Sequence, residues 1–255
     1  MIQLGKVLMC TFSKKLLLAL WLGVTSLVLM PSAGYAGQFS VSPVRIFMAA
    51  KDRTTAVTLT NESDVELVMQ ADVFLWQQTP SGQEDLAPTE DVVVAPPIIK
   101  LAPRARQVIR LALLKPVPPD QQLTYRLIVR EIPEVKPVEP GVQLQIALAF
   151  SMPIFISPSG VKRQLVCESA RTGPGEVRVS CENKGNAYAF ASDFKLRNTS
   201  GEIIASSGDG GYVLPGIKRS FSLKRIGGSI PSGTVQLVVT QDDSSIQTFD
   251  SLLAD

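Results

Sequence analysis

The strongest constraint on this chain is a period of two. From Phe39 onward, apolar and polar residues alternate in short runs, and no stretch carries the 3.6-residue apolar repeat of an amphipathic helix. Ala105 to Leu113 sets Ile109, Leu111 and Leu113 against Val108, Arg110 and Ala112. Phe39 to Met48, Thr54 to Asn61, Leu67 to Trp76, Val92 to Leu101, Tyr125 to Ile132 and Val142 to Ile156 read the same way. Pro43 marks the first of these as kinked or at an edge, and Pro96-Pro97 does so for the fourth. With 18 Gly and 18 Pro, the chain has the turn residues that many short strands require.

Pro158-Ser159-Gly160 interrupts the pattern, and a second set of alternating segments runs from Gln164 to Gln241. About seven strands are expected before the break, which fits an immunoglobulin-like sandwich. The expected organisation is all-β, with an N-terminal domain at residues 37–157 and a smaller β-sandwich at 158–255. The border should fall within residues 157–163. Gly208-Asp209-Gly210-Gly211 reads as a hairpin turn, and Glu84-Asp85 and Glu90-Asp91 read as a solvated polar loop.

Residues 1–36 read as a secretory signal peptide. Lys6, Lys14 and Lys15 precede an apolar run from Leu16 to Met30, and Gly34-Tyr35-Ala36 supplies small residues for cleavage after Ala36. The run is about 15 residues, short of the roughly 20 that span a bilayer, so no membrane insertion is expected after cleavage. This segment carries three Lys and no acidic residue, so its loss takes the formal charge from +2 to −1. No electrostatic case for nucleic acid survives that change. Cys10 leaves with the segment. Cys167 and Cys181 stay, and an even count in an exported chain reads as a disulfide, with two free buried thiols as the alternative.

Catalytic chemistry finds few players. The chain has no His, which removes the Ser-His-Asp and Cys-His arrangements and leaves two Cys too few ligands for a zinc site. No Gly-rich phosphate loop precedes a helix, so no cofactor is expected. Binding is better supported. Along Val142 to Phe150, the residues Val142, Leu144, Ile146, Leu148 and Phe150 share one face, while Gln143, Gln145, Ala147 and Ala149 share the other. Such a face can pack into the chain's own core. A strand with large residues on one face and small ones on the other can also sit at an edge and accept a guest strand.

Several segments together resemble the periplasmic PapD-like pilus-assembly chaperones. Arg130-Glu131-Ile132-Pro133 is similar to that family's "REIP" segment. Pro96-Pro97-Ile98-Ile99-Lys100-Leu101-Ala102-Pro103, followed by Gln107-Val108-Ile109-Arg110, is similar to its proline-rich segment. Ser42-Pro43-Val44-Arg45-Ile46 resembles its first strand, and Gly141 to Pro158 its donor strand and hinge. The resemblance implies two immunoglobulin-like domains in an L or boomerang arrangement, a periplasmic location and no enzymatic activity. It also implies pilus or fimbrial subunits and an outer-membrane usher as partners. Val142, Leu144, Ile146, Leu148 and Phe150 would fill the groove that an incomplete subunit exposes. Arg45 matches the family's anchor for the subunit's C-terminal carboxylate. The Lys that accompanies it in better-known members is replaced by Pro153, so Arg126 is the expected second cation. This ending resembles the archaic, spore-coat-U-like branch. Arg110, Arg130 and Glu131 are the candidates for structural ion pairs. A secreted immunoglobulin-like adhesive or structural pilus component, and a secreted hydrolase, are the competing readings.

Overall fold

The computed structural model describes residues 38–79, 81–133 and 146–254. Every regular element among them is a strand. Ten precede Pro158: β1 (Phe39–Ser42), β2 (Ile46–Ala49), β3 (Thr54–Asn61), β4 (Leu67–Gln78), β5 (Glu84–Pro88), β6 (Val92–Ala95), β7 (Ile98–Leu101), β8 (Arg106–Leu113), β9 (Leu123–Glu131) and β10 (Ala149–Ser157). They form two sheets, ordered β1-β3-β8-β6 and β2-β10-β9-β4-β5, with β7 also paired to β4.

Prolines explain most of the excess over seven. A proline cannot donate to a ladder, so a strand that meets one stops or changes partner. The segment around Pro43 does the latter: β1 runs antiparallel to β3 in one sheet, and β2 runs parallel to β10 in the other. Pro96-Pro97 divides β6 from β7 in the same way, β6 on β8 and β7 on β4. The third addition, β5, has no apolar alternation to announce it and forms as the return arm of a hairpin on β4. Glu84 and Asp85 therefore lie on a strand and not in a loop.

The two sheets close over one core. Val57 and Leu59 of β3 and Ile109 and Leu111 of β8 face Met69 and Ala71 of β4, Leu127 and Val129 of β9, and Ile154 and Ile156 of β10. Each fully buried side chain of this size stabilises the fold by about 1.5–3 kcal/mol. A polar group is satisfied at the edge of this core. The Tyr125 hydroxyl donates to Asp91 Oδ2 at 2.9 Å, and Lys115 Nζ donates to the same oxygen at 2.8 Å. Asp91 is thus held by named partners, contrary to its reading as a solvated loop acid. Burial works against the Asp91 charge, but the hydrogen bonds from Lys115, Tyr125 and Thr89 and the Lys115 charge outweigh it and hold its pKa below the usual carboxylate value.

Eight further strands follow: β11 (Leu165–Gly173), β12 (Glu176–Asn183), β13 (Ala189–Arg197), β14 (Ile203–Ser207), β15 (Gly211–Val213), β16 (Lys218–Arg225), β17 (Gly233–Gln241) and β18 (Ile246–Leu253). Their order is β11-β12-β16-β14-β13-β17-β18, with β15 on β13. The end strands β11 and β18 lie against each other, so the sheet curls around a second core that includes Val177, Phe194, Leu223 and Leu237. Cys167 and Cys181 are paired positions on β11 and β12 and are joined by a disulfide.

Gly208 to Gly211 is not a hairpin turn. Both β14 and β15 pair with β13 in the same direction, Phe194 opposite Ser207 and Ala191 opposite Gly211. The glycines make a bulge in one continuing strand. A Cβ on Gly210 would lie 2.1 Å from the Ala191 carbonyl oxygen, so close backbone approach is what demands glycine there.

Each half contains the same buried asparagine corner. Asn61, at the end of β3, donates through Nδ2 to the carbonyls of Val65 and Leu101 and accepts from Ser63 N. Asn183, at the end of β12, donates to the carbonyls of Ala187 and Val213 and accepts from Gly185 N. Replacing either by Ala strands several buried backbone groups. The expected loss is about 2–4 kcal/mol in urea denaturation. Asp91 gives a pH prediction. Its depressed folded pKa contributes stability that is present above the unfolded carboxylate value near 4 and is lost as pH falls through the folded value. Melting temperatures measured from pH 7 down to pH 3 should fall less steeply for Asp91→Asn than for the wild type, and the variant should start lower at pH 7.

Candidate functional site

Strand β10 is shared between a finished sheet and an unfinished one. It pairs with β9 from Ala149 to Ile156, but with β2 only from Ile154 to Ser157. From Ala149 to Met152 one edge has no strand partner among the described residues, and the ladder to β9 continues upstream through Glu131 N donating to Leu148 O. The alternation carries one face across that boundary. Ile156, Ile154 and Met152 are buried in the first core. Phe150, next on the same face, is 37% exposed and meets Phe39 edge-on with ring centroids 4.9 Å apart. Leu148 is half-buried against the same core. Ile146 is 55% exposed. The face thus leaves the core gradually, and the opposite residues Ala147, Ala149 and Ser151 are exposed. Val142 and Leu144 lie outside the described residues.

The two expected anchor cations come together around Pro153. In the β9–β10 register Pro153 stands opposite Arg126. On the other side, Ile154 stands beside Ile46, so Arg45, one residue earlier, flanks Pro153. Strand spacing places the backbones of Arg45 and Arg126 roughly 10 Å apart, with their side chains on one face. That face is the outer face of the sheet, and the second half of the chain covers it there. Trp76, Phe155, Tyr188 and Leu214 form a third buried cluster at the junction. Phe155 stacks on Tyr188 at 3.9 Å between centroids, and Tyr212 stands edge-on to Trp76 at 5.2 Å. Gln78 ties the junction with two hydrogen bonds, Nε2 to Tyr212 O at 3.0 Å and Leu214 N to Oε1 at 2.8 Å. Gln122 adds a third, accepting from Tyr188 N at 2.9 Å.

Neither arginine is unpaired. Arg45 Nη1 donates to Asp242 Oδ2 at 2.8 Å. Asp242 also accepts from the Tyr188 hydroxyl at 3.1 Å, and Arg163 Nη1 lies 4.0 Å from its other oxygen. Burial opposes the charge of Arg45, yet the neighbouring Tyr212, Asp242 and Tyr188 raise its pKa. Burial pushes the Tyr188 hydroxyl up to about 12; Arg163 opposes this and Asp242 adds to it, so the hydroxyl is a neutral donor at physiological pH. Arg126 is buried, with its guanidinium 3.9 Å from the Trp76 ring centroid, and it donates through Nη2 to Glu84 Oε1. Its Nε and the Trp76 Nε1 have no hydrogen-bond partner among the described residues. Arg130 likewise forms an ion pair, with Asp72.

The sequence reading missed Trp76, Glu84, Arg163, Tyr188 and Asp242. One signal for the first was present. On β4 the even positions Val68, Gln70, Asp72 and Phe74 are half-buried on the outer face, and the same phase becomes fully or nearly buried at Trp76 and Gln78. A tryptophan on the polar phase of a strand marks an outer face that something covers.

Residues 38–162 match the family described as pili and flagellar-assembly chaperone, PapD N-terminal domain. The chain is similar to that family over this half. It is 25% identical over 190 residues to the chaperone protein LpfB of Salmonella typhimurium, covering 71% of this chain and 76% of that one. A probable fimbrial chaperone LpfB of Escherichia coli O157:H7 is 26% identical over 147 residues, or 57% and 58% of the two chains. Among solved structures, the CsuC–CsuE chaperone–tip subunit pre-assembly complex of Acinetobacter baumannii aligns with a TM-score of 0.63 at 20% identity, over 86% of this chain and 100% of that one. The SafA pilin in complex with the SafB chaperone from Salmonella enterica gives 0.57 at 16%, over 88% and 100%. These neighbours share the fold of two immunoglobulin-like domains, and this chain has that fold.

The junction between the two halves depends on the ring of Phe155. Phe155→Ala removes the Tyr188 stack and leaves a cavity, with an expected cost of about 3–5 kcal/mol. Chemical denaturation followed through the fluorescence of Trp76, which lies against the same ring, measures it.

Proposed function

We propose that this chain is a chaperone of the chaperone–usher pathway that holds pilus subunits by donor-strand complementation. The observation that carries the reading is the open edge of β10, where an inward-facing apolar row runs out of core and into solvent. A guest sheet pairing along Ala149 to Met152 and upstream gains main-chain hydrogen bonds. Its incomplete core receives Phe150, Leu148 and Ile146, with Leu144 and Val142 as the continuation of the row. Each side chain buried this way contributes about 1.5–3 kcal/mol, and the guest loses an exposed edge prone to aggregation. Arg45 and Arg126 are the proposed anchors for the subunit's C-terminal carboxylate, gripping it across Pro153, where no lysine stands. The bound subunit passes to an outer-membrane usher, where the next subunit's extension replaces the donated strand without nucleotide or cofactor.

The remaining assignments follow from the same reading. Residues 1–36 are the signal peptide, residues 37–157 the chaperone domain and residues 158–255 the second sandwich, and the mature protein works in the periplasm. Pro153 and the likeness to the CsuC complex support the archaic branch.

Affinity capture from periplasmic extract, with mass spectrometry of what is retained, should recover a pilus subunit with an incomplete sandwich. Ile146→Asp provides the residue-level test. Because Ile146 is exposed, the substitution should leave the melting temperature close to wild type. In the groove a buried carboxylate is heavily penalised, so subunit affinity should drop on the order of 100-fold or more. Equal binding by this variant would refute donor-strand insertion.

A further inference from the structure

The two carboxylates paired with Arg45 and Arg126 are held very differently. Asp242 is fixed: its side chain is only 10% exposed, and it is shared by Arg45, Tyr188 and Arg163. Glu84 sits on the short edge strand β5 next to its hairpin turn, and its side chain is 49% exposed. Among the described residues, its contact with a cation is a single one, from Glu84 Oε1 to Arg126 Nη2. That contact leaves Arg126 underused. A guanidinium and a carboxylate can pair through two parallel bonds, one of them to Nε. Here Nε is buried and unpartnered among the described residues, while the side chain as a whole is only 10% exposed and lies on Trp76. A buried cation with an unmet donor and a loosely held, half-exposed acid is a site prepared for a better acid.

We infer that Glu84 is a built-in stand-in for the guest carboxylate: it neutralises Arg126 in the empty protein and swings off into solvent when the subunit's C-terminal carboxylate arrives. The inference rests on the chaperone reading above. Glu84 solves a problem of the resting state, because a buried guanidinium with no anion is strongly destabilising. It also sets a threshold for specificity, since a guest must offer an anion that grips Arg126 through two bonds to displace an acid that grips it through one. Asp242 cannot serve in this way. Its release would break the contact to Arg45 and Arg163 and the hydrogen bond from Tyr188 together, so Arg45 meets the guest with the guanidinium donors that Asp242 leaves open.

The test uses the subunit recovered by capture, both as the natural chain and with a few residues appended so that its terminal carboxylate is displaced. Glu84→Gln keeps the size of the side chain and removes the charge. It should lower the melting temperature of the free protein, because Arg126 loses its anion. It should also tighten binding of the natural subunit about two- to ten-fold, the range expected for one half-exposed hydrogen bond no longer broken on binding. The gain should vanish with the extended subunit and in the double variant Glu84→Gln with Arg126→Ala. A merely structural ion pair predicts the drop in melting temperature with unchanged or weaker binding, and that outcome overturns the inference. An equal gain for natural and extended subunits also overturns it, because the effect would then be a general reduction of negative charge. A wild-type protein that binds no subunit would sink the chaperone reading and this inference with it, whereas failure of Glu84→Gln alone leaves the chaperone reading standing.

Discussion

The register between β9 and β10 is the constraint on which the rest depends. Side chains alternate across a strand, so a slip of one residue would exchange its two faces. With Pro153 opposite Arg126, the residues Met152, Ile154 and Ile156 fall inward and Pro153 and Phe155 fall outward. Three consequences follow from that single choice. The apolar row that leaves the core points toward a continuation of the core. Phe155 reaches Tyr188 across the junction. Arg126 shares an outward row with Arg45 and not with the core. The parallel pairing of β2 with the last four residues of β10 then fixes this register from the other side.

The junction between the halves explains how a cation can be buried there. Arg126 lies over the ring of Trp76, whose face is electron-rich, and a second aromatic ring, Tyr212, is 5.8 Å away. The same rings exclude water, which strengthens any charge pair formed on the guanidinium and raises the cost of leaving it alone. Hydrogen bonds from Gln78 and Gln122 to the backbone of the second half hold the covering elements in place. The polar glutamines tolerate burial because each is paired at both ends of its amide, Gln122 through Tyr188 N and Ser157 Oγ.

Much of this architecture is legible from alternation alone. The period-two pattern locates the long strands, because burial of one face imposes it directly, as at Ile109, Leu111 and Leu113. The prolines at 43, 96 and 97 mark breaks, but not that the chain crosses between sheets at each one, which depends on partners distant in sequence. Strand β5 leaves no apolar trace, since its pairing with β4 is made by backbone groups that every residue carries. Gly208 to Gly211 misleads for a related reason: glycine serves turns and close backbone approaches alike, and only the neighbour at Ala191 distinguishes them. Around Pro153, Arg45 and Arg126 are expected from the resemblance and from the displaced lysine. Their acids Asp242 and Glu84 come from strands or loops that only the folded topology brings near.

An open apolar edge is a hazard that a stable protein has to limit. Here the limits are local. The stretch of β10 without a strand partner is confined, among the described residues, to Ala149 through Met152 and the residues just before it. Pro153 closes it at one end, because a residue without an N–H offers an incoming strand no donor there, and β2 takes over at the next residue. On the exposed face the side chains are Ala147, Ala149 and Ser151, too small to form a sticky patch of their own. Phe39 covers the ring of Phe150 from the side, so the largest exposed apolar group of the row rests on the core when nothing else is bound. Pro153 thus divides one strand into a part that completes the protein's own sheet and a part whose edge has no strand partner among the described residues.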